Sequence, residues 1–129
     1  MNGVERIAAE RERQVEEEGW TPEHDDSHRR GELARAAACY AAPVLVYHAQ
    51  VRAPTGHRGH DYKFVEFWPW DAEWDKRSDR SVNTWIRQDE LAEIDARIQD
   101  LKKAGALCAA EIDRLLRHRA EMEATRGSE

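Results

Sequence analysis

The chain has 129 residues, of which 36% are charged and 40% hydrophobic, and a formal net charge of −6 at pH 7. This length predicts a single domain, and the acidic balance argues against general nucleic-acid binding, which needs a basic surface. No run approaches the roughly 18 apolar residues of a membrane span. The N-terminal sequence also lacks the apolar core of a signal peptide. We therefore expect a cytoplasmic protein. Cys39 and Cys108 are too few for a disulfide framework, and their alanine-rich surroundings predict small core residues.

The hydrophobic pattern predicts a mainly α-helical chain. A first helix is expected over residues 3–18, ending at Gly19 because glycine commonly closes a helix. The polar residues 21–30 are expected to form a loop. A second helix is expected from about residue 29 to 47. It should kink or break near Ala41, because Pro43 cannot continue the helical hydrogen bonding.

Residues 51–80 are expected to form an irregular insert, with a short hairpin as one option over residues 51–64. The insert is rich in aromatic residues and contains Trp68, Trp70 and Trp74. Large aromatic side chains at this density either close a small helical core or form the wall of a ligand site. The sequence leaves both readings open.

The last element is expected to be one long helix over residues 88–124. Its apolar residues recur at alternating spacings of three and four, which is the pattern of a coiled-coil seam. The seam consists of Leu91, Ile94, Ile98, Leu101, Gly105, Cys108, Ile112, Leu115 and Met122. A second apolar stripe of Ala104, Leu107 and Ala110 is expected to pack against the first two helices.

The length of this helix has a consequence for assembly. A straight helix over this range would be roughly 55 Å long, which exceeds the width of a domain of this size. We therefore expect either a bend near Gly105 or self-association of the chain through the seam, and we favour a homo-oligomer. Residues 125–129 are expected to form a frayed tail.

The segment HDDSH is the first candidate for chemistry. His24 and His28 are four residues apart, and the carboxylates of Asp25 and Asp26 lie between them, which suits a metal site on a helix. The pair of His24 and Asp25 also resembles the helical metal-dependent phosphohydrolases, but the upstream histidine of that family has no counterpart here. The alternative is a helix N-cap made by Asp26 or Ser27.

A second candidate is a set of carboxylates in the last helix. Glu90 and Glu93, followed by Glu111 and Asp113, resemble the paired acids with which all-α nucleotide pyrophosphohydrolases bind Mg²⁺. The spacing of the second pair would splay its acids apart on a helix. The alternative is a solvated helix face with ion pairs between residues four apart, such as Glu93 with Arg97.

The third candidate combines aromatic and basic residues. Aromatic side chains stack on nucleobases, and arginine is suited to phosphate. The predicted ligand-binding residues are Trp20, Arg29, Arg30, Tyr40, Trp68, Trp70, Trp74, Arg77 and Arg80. The sequence contains no glycine-rich phosphate loop and no nucleophile elbow. This pattern favours ligand binding without catalysis and without a cofactor.

Three blocks, residues 12–41, 68–74 and 101–115, are similar to an uncharacterised family of small bacteriophage and prophage proteins. They read ERQVEEEGWTPEHDDSHRRGELARAAACYA, WPWDAEW and LKKAGALCAAEIDRL. The likeness breaks at residues 79–98, where this chain carries extra residues. The resemblance implies a phage origin, and so a role in countering host defence in the host cytoplasm.

A second resemblance is to the ryanodine-receptor repeat domain. The matching features are a helix that ends in Gly19-Trp20-Thr21, the acids Asp25 and Asp26, and Asp79-Arg80 further along. The segment with proline and tyrosine that lies between these features in that domain is not evident here. The resemblance implies a ligand of the adenine-nucleotide type that is bound without chemistry.

The leading expectation is a non-catalytic, oligomeric phage protein that sequesters a nucleotide-derived immune signal of the cyclic-nucleotide or ADP-ribose type. The first alternative is a metal-dependent helical nucleotide hydrolase that uses the HDDSH segment or the paired acids. The second alternative is an inhibitor that binds a host defence enzyme through the acidic first helix.

Overall fold

The computed structural model describes residues 1–51, 62–78 and 89–127. Within these ranges the chain is mostly helical, as the sequence predicts. The elements are α1 (Gly3–Glu16), α2 (Pro22–Asp26), α3 (Glu32–Ala41), β1 (Tyr47–Val51), β2 (Tyr62–Glu66), a 3₁₀ turn (Ala72–Trp74) and α4 (Leu91–Gly127).

Helix α1 begins at Gly3 as expected and ends at Glu16, two residues before the expected end at residue 18. Asn2 caps its start, because the Asn2 side chain accepts a hydrogen bond from Glu5 N at 2.9 Å while the Glu5 side chain bonds back to Asn2 N. After the helix, Gly19 adopts a φ of +72°, which glycine tolerates without strain. Trp20 N then donates to Gln14 O at 3.0 Å, so the turn returns the chain toward the helix.

The expected loop over residues 21–30 is wrong at its start, because residues Pro22–Asp26 form α2. Thr21 is the N-cap, and its hydroxyl accepts a hydrogen bond from His24 N at 3.3 Å. Pro22 occupies the first helical turn, where a missing N–H costs nothing. Threonine followed by proline and an acid is a helix-start signal, although the helix it begins is short.

The second helix is shorter than expected. It ends at Ala41, as the proline predicts, and Ala42 is extended with φ −69° and ψ 136° because it precedes Pro43. The chain does not resume the helix, and the prediction of helix up to residue 47 is wrong. Strand β1 instead pairs antiparallel with β2, with Tyr47 opposite Glu66 and Val51 opposite Tyr62. The hairpin therefore begins earlier than the one considered for the insert.

The long C-terminal helix is confirmed as α4, a continuous helix of 37 residues. The Glu93 side chain accepts hydrogen bonds from the backbone N–H groups of Asp89 and Glu90 at 3.0 and 3.2 Å, so it caps the start of the helix. The helix continues to Gly127, so the prediction that the tail frays from residue 125 is wrong for its first three residues.

The core lies between α3 and α4, and α1 packs on a neighbouring face of α4. Its buried residues are Leu33, Ala36, Ala37, Tyr40, Ala104, Leu107 and Ala110. The second apolar stripe of α4 is therefore the one that meets the other helices, as predicted. Small side chains dominate the contact and allow the two helix backbones to approach closely. Cys39 is buried, but Cys108 is exposed, so the prediction of a core position for Cys108 is wrong.

Much of the coiled-coil seam remains exposed in the single chain. The large apolar residues concerned include Leu91, Leu101, Ile112, Leu115 and Met122, with exposed fractions between 44% and 80%. Gly105 is an exception, because it lies beneath Ile7 of α1.

Ion pairs join the small helix α2 to its neighbours. Arg11 of α1 donates to the buried carboxylate of Asp25 at 2.7 Å, and Arg117 of α4 donates to Asp26 at 2.9 Å. These contacts fix the position of α2, which follows Trp20 and contains His24.

Candidate functional site

Five predicted aromatic side chains come together around one cleft with a volume of about 540 Å³. The cleft is lined by Trp20, Tyr40, Trp68, Trp70 and Trp74, together with Glu18, His24, His28, Pro69 and Asp71. We call it the aromatic cleft. Its volume is in the range of small-molecule binding sites in proteins.

Short elements from distant parts of the sequence position these rings. Trp20 follows the end of α1, His24 lies in α2, and Tyr40 lies in the last turn of α3. Trp68 and Trp70 follow β2, and the indole N–H of Trp68 donates to Asp71 O at 3.2 Å, which folds the segment back on itself.

Contacts between the rings fix their orientation. Trp20 and His24 are stacked, with ring centroids 5.6 Å apart and an interplanar angle of 6°. His28 meets Trp70 edge-on at 5.3 Å, and His24 lies 4.9 Å from His28. Trp70 is also 6.2 Å from Trp20, so these four rings form a closed circuit of contacts. The rings are therefore already ordered, and binding of a ligand ring in the cleft would lose little side-chain entropy.

A second chain of ring contacts extends this circuit. Trp68 packs edge-on against Trp70 at 5.5 Å and against Tyr40 at 5.6 Å. Trp20, Trp68 and Trp70 are partly buried and pack against the helical core while they also line the cleft. The same side chains therefore close the core and form the wall of a cleft, and the interpretation of that wall as a ligand site stays a prediction.

A second cleft of about 490 Å³ adjoins the first. The two share Glu18, Trp20, Tyr40 and Trp74 as lining residues. The second cleft is also lined by Glu10, Arg13, Gln14, Glu73, Lys76, Lys103 and Leu107. We call it the charged cleft.

The Arg13 guanidinium is hydrogen-bonded to two neighbouring carboxylates. Its guanidinium donates to Glu10 at 2.8 and 2.9 Å and to Glu18 at 3.0 Å. Burial alone would raise the pKa of Glu10, but the hydrogen bonds from Arg13 and the charges of Lys102 and Lys103 outweigh it and lower that pKa. The hydrogen bond to Glu10 is also the main cause that raises the pKa of Arg13.

The two lysines of the charged cleft differ from Arg13. Within the described part of the chain, neither Lys76 nor Lys103 forms an ion pair with a carboxylate. Both residues lie beside Tyr40, since the backbone N–H of Lys76 donates to the Tyr40 hydroxyl at 3.3 Å and the side-chain Nζ of Lys103 is 5.7 Å from the Tyr40 ring centroid. The Lys103 ammonium group therefore lies beside Tyr40, which lines both clefts, while Lys76 lines the charged cleft.

Buried polar atoms mark both clefts. Gln14 is 2% exposed, and its Oε1 has no hydrogen-bond donor among the described residues. The buried indole Nε1 of Trp70 likewise has no acceptor within that part of the chain. Unsatisfied polar groups of this kind are costly, and they are common where a site completes its hydrogen bonds with a ligand or water.

Tyr40 lies at the junction of the clefts and is almost fully buried. Burial raises the pKa of its hydroxyl to about 12, against a smaller lowering by the hydrogen bond from Lys76 N. The hydroxyl is therefore neutral at physiological pH and acts as a hydrogen-bonding group.

Three of the predicted arginines, Arg29, Arg30 and Arg77, do not line the aromatic cleft. Arg77 is buried and donates to Asp75 and Glu66 at 2.6 Å each, while its guanidinium lies 5.1 Å from the Trp68 ring centroid. The hydrogen bond to Asp75 is the main cause that raises its pKa. Arg77 therefore supports Trp68.

Of the other three arginines, the structure describes Arg29 and Arg30. Arg29 is exposed, donates to Asp26 O at 3.2 Å and lines a separate depression. Arg30 is also exposed and lines neither cleft. Arg80 lies outside the described residues.

The HDDSH segment makes contacts that differ from the predicted helix N-cap. Asp25 is fully buried against Arg11, and His28 Nδ1 lies 3.1 Å from Glu32. In the described ranges, no group of three or more His, Cys, Asp or Glu side chains is arranged to hold a metal ion. Asp26 and Ser27 do not cap α3, whose N-cap is Gly31. The segment forms α2 and contributes two rings to the aromatic cleft.

The paired carboxylates of α4 also have separate roles. Glu93 caps the helix, and Glu111 is bonded to Arg114 at 2.5 Å. Arg97 donates to the carbonyl oxygens of Tyr40 and Ala41 and so caps the end of α3, instead of pairing with Glu93 as expected. These contacts do not bring the predicted acids together at one site.

Sequence reasoning missed several lining residues. Lys103 and Gln14 lie on helices, far in sequence from the aromatic segment, and only the packing of α1 and α3 on α4 brings them near it. Glu18 precedes Gly19 and Trp20, and Asp71 follows Trp70, so proximity to the predicted aromatics was the available signal for these two.

No protein-family model, curated protein or solved structure matches this chain. The inference about function therefore depends on the residues and their geometry. Among the described residues, none of the helices has both the length and the apolar character that crossing a membrane requires.

Proposed function

We propose that this chain binds and sequesters a small nucleotide-derived ligand without transforming it. In this proposal a base enters the aromatic cleft and a phosphate lies in the charged cleft. The observation that carries the proposal is the junction of the clefts, where the shared aromatic walls meet the ammonium group of Lys103 and the charged cleft also holds Lys76.

The chemistry of the two clefts supports this pairing. Nucleobases stack on aromatic side chains, and such stacking contributes about 1–3 kcal/mol per base. Phosphate oxygens are strong acceptors that lysine binds as a point charge. In the proposal, Lys76 and Lys103 take the part that the sequence predicted for arginines. The summed volume of the clefts suits a nucleotide better than a bare base.

The biological part of the proposal extends the resemblance to phage proteins. We propose that the protein acts in the host cytoplasm as a phage accessory protein that removes a nucleotide immune signal, of the cyclic-nucleotide or ADP-ribose type. A binding protein needs no general base or nucleophile, and the described lining residues include no nucleophile–base pair of the kind that covalent catalysis requires.

We also propose that the chain is a homo-oligomer joined through α4. The exposed seam residues repeat at the spacing with which helices pack on helices, and a second copy supplies a helix with the same pattern. The seam is on a different face from the stripe that meets α3, so self-association would leave the clefts intact.

Calorimetric titration with a panel of nucleotides tests the binding proposal. We expect cyclic dinucleotides, ADP-ribose derivatives or mononucleotides to bind the wild-type protein. The variant Lys76→Gln/Lys103→Gln should lose at least about tenfold in affinity, because a charge-assisted bond is worth about 1.5–3 kcal/mol. Lys63→Gln is the matched control, since Lys63 is exposed in β2 away from both clefts. Equal binding by the double variant and the control would contradict the placement of the phosphate, and no binding by the wild type would contradict the function.

A further inference from the structure

The charged groups that line the aromatic cleft are acidic. Glu18 and Asp71 are its carboxylates, and none of the described lysines or arginines lines it. His24 and His28 also line this cleft, and their Nδ1 atoms lie 3.1 Å from the carboxylates of Asp25 and Glu32. Among the described residues, Arg13 donates to Glu18 at 3.0 Å and no cation pairs with Asp71, so the lining of this cleft is acidic whereas the adjoining cleft holds two lysines.

The aromatic rings that line the cleft also favour a cation. The face of an aromatic ring is electron-rich and attracts a cation, and tryptophan does so most strongly. Trp20, Trp68, Trp70 and Trp74 line this cleft, and the Arg77 guanidinium, 5.1 Å from the Trp68 ring centroid, shows that one of these rings already attracts a cation. A neutral base would gain stacking there, whereas a flat ring with a positive charge would gain stacking, cation–π attraction and attraction to the carboxylates.

We propose that the preferred ligand is a nucleotide whose base carries a fixed positive charge from ring N-alkylation. An N-alkylated purine and a pyridinium nucleotide share this chemistry. The inference rests on the proposed function, because the same ligand places its phosphate near Lys76 and Lys103. Such a ligand is a zwitterion, and its two charges match the acidic aromatic cleft and the lysines of the charged cleft.

Matched pairs of nucleotides test the inference. Adenosine 5′-monophosphate and its N1-methyl derivative have the same phosphate and nearly the same size, and they differ in ring charge. Guanosine 5′-monophosphate and its N7-methyl derivative form a second pair. In titrations followed by tryptophan fluorescence, we expect the cationic member of at least one pair to bind about tenfold more tightly, which is the scale of a desolvated cation–π contact.

Two variants separate charge from shape. Glu18→Gln/Asp71→Asn keeps the size of both side chains and should reduce the preference for the cationic member to about twofold or less. Glu12→Gln is the control, since Glu12 is exposed in α1 and lines neither cleft, and it should keep the full preference. Circular dichroism confirms that both variants are folded.

The outcomes distinguish this inference from the proposed function. If the neutral member of each pair binds as well as the cationic one, the inference is wrong while the proposed function stands. A preference that survives in the Glu18→Gln/Asp71→Asn variant also overturns it. If the wild-type protein binds neither the pairs nor the wider nucleotide panel, both proposals are wrong.

Discussion

Two neighbouring acids show how strongly residue environments differ in this protein. The Asp25 side chain is fully buried and bonded to Arg11, whereas the Asp26 side chain is 41% exposed and bonded to Arg117. The sequence suggested metal binding for both acids, with helix capping by Asp26 as the alternative. Which acid becomes buried depends on where α1 and α4 lie, and this is set by tertiary packing that local sequence does not contain.

Asp25→Asn should lower the free energy of unfolding by about 3 kcal/mol, because removing one partner of a buried pair leaves a desolvated charge on the other. Asp26→Asn should cost less than about 1 kcal/mol, as expected for an exposed pair. Urea denaturation of both variants and the wild type measures the difference. Similar losses for the two would show that Asp25 is not the buried anchor of α2.

Ionisation of the Tyr40 hydroxyl should make the folding stability of the protein depend on pH in the alkaline range. Burial raises its folded-state pKa from the ordinary value of 10.0 to about 12, so the folded state holds this proton more tightly than the unfolded state. The contribution to stability is thus fully present below pH 10 and is lost as pH rises through about 12. The loss should be about 2–3 kcal/mol, since one pKa unit corresponds to about 1.4 kcal/mol.

The difference in unfolding free energy between the wild type and Tyr40→Phe isolates this effect. Phenylalanine cannot ionise, so the variant should gain stability relative to the wild type as the pH rises from about 10 to above 12. Denaturation curves at a series of alkaline pH values provide the measurement. A constant difference across that range would contradict a raised pKa for Tyr40.

At the scale of the elements, α4 carries two apolar stripes, and packing decides which one is buried. The pattern predicted both stripes and correctly assigned Ala104, Leu107 and Ala110 to the core. The limits of α1 and the break at Ala41 could also be predicted, because Gly19 and Pro43 act locally. The strand at residues 47–51 could not, since apolar and polar residues there fit a helix or a strand until the pairing with β2 exists.

Gly105 is where α1 and α4 approach each other. A Cβ atom at this position would lie 2.6 Å from Ile7 Cδ1 and 2.7 Å from Ile7 Cγ1. Gly105→Ala should therefore destabilise the protein by about 1–3 kcal/mol through overpacking, even though alanine favours a helix by about 1 kcal/mol.

The matched control is Gly127→Ala, because a Cβ atom there meets nothing within 4 Å. It should leave stability unchanged or raise it slightly. Adding Ile7→Ala to Gly105→Ala should recover part of the loss, and a double-mutant cycle by thermal denaturation measures the coupling. If Gly105→Ala stabilises the protein as Gly127→Ala does, the close approach of the helices is wrong.

At the scale of the whole molecule, the exposed seam leads to a prediction about assembly. Leu115→Glu/Met122→Glu places charges at two seam positions that are 49% and 60% exposed in the single chain. If copies associate through α4, this variant should be a folded monomer, while the wild type and Ala120→Glu, an exposed change off the seam, remain oligomeric. Size-exclusion chromatography with light scattering measures the mass, and a monomeric wild type would contradict the proposal.

The candidate site also shows what a sequence can and cannot provide. The cluster of tryptophans predicted a wall of rings, because four of its members are close in sequence or follow helix ends. The cations could not be predicted, since Lys103 is brought to Tyr40 by the packing of α3 on α4 and Arg77 is diverted to Asp75 and Glu66. Local sequence identifies candidate chemistry, and tertiary packing decides which residues meet.

The central claim is that the protein holds a nucleotide intact, and one incubation tests it directly. Purified protein is mixed with cyclic dinucleotides, cyclic ADP-ribose isomers and N-alkylated nucleotides, with and without divalent metal, and the filtrate is analysed before and after heat denaturation of the protein. The account predicts that at least one nucleotide disappears from the filtrate and returns chemically unchanged after heating. A nucleotide that is converted to a product would contradict sequestration and indicate an enzyme, and a panel that stays in the filtrate throughout would contradict nucleotide binding.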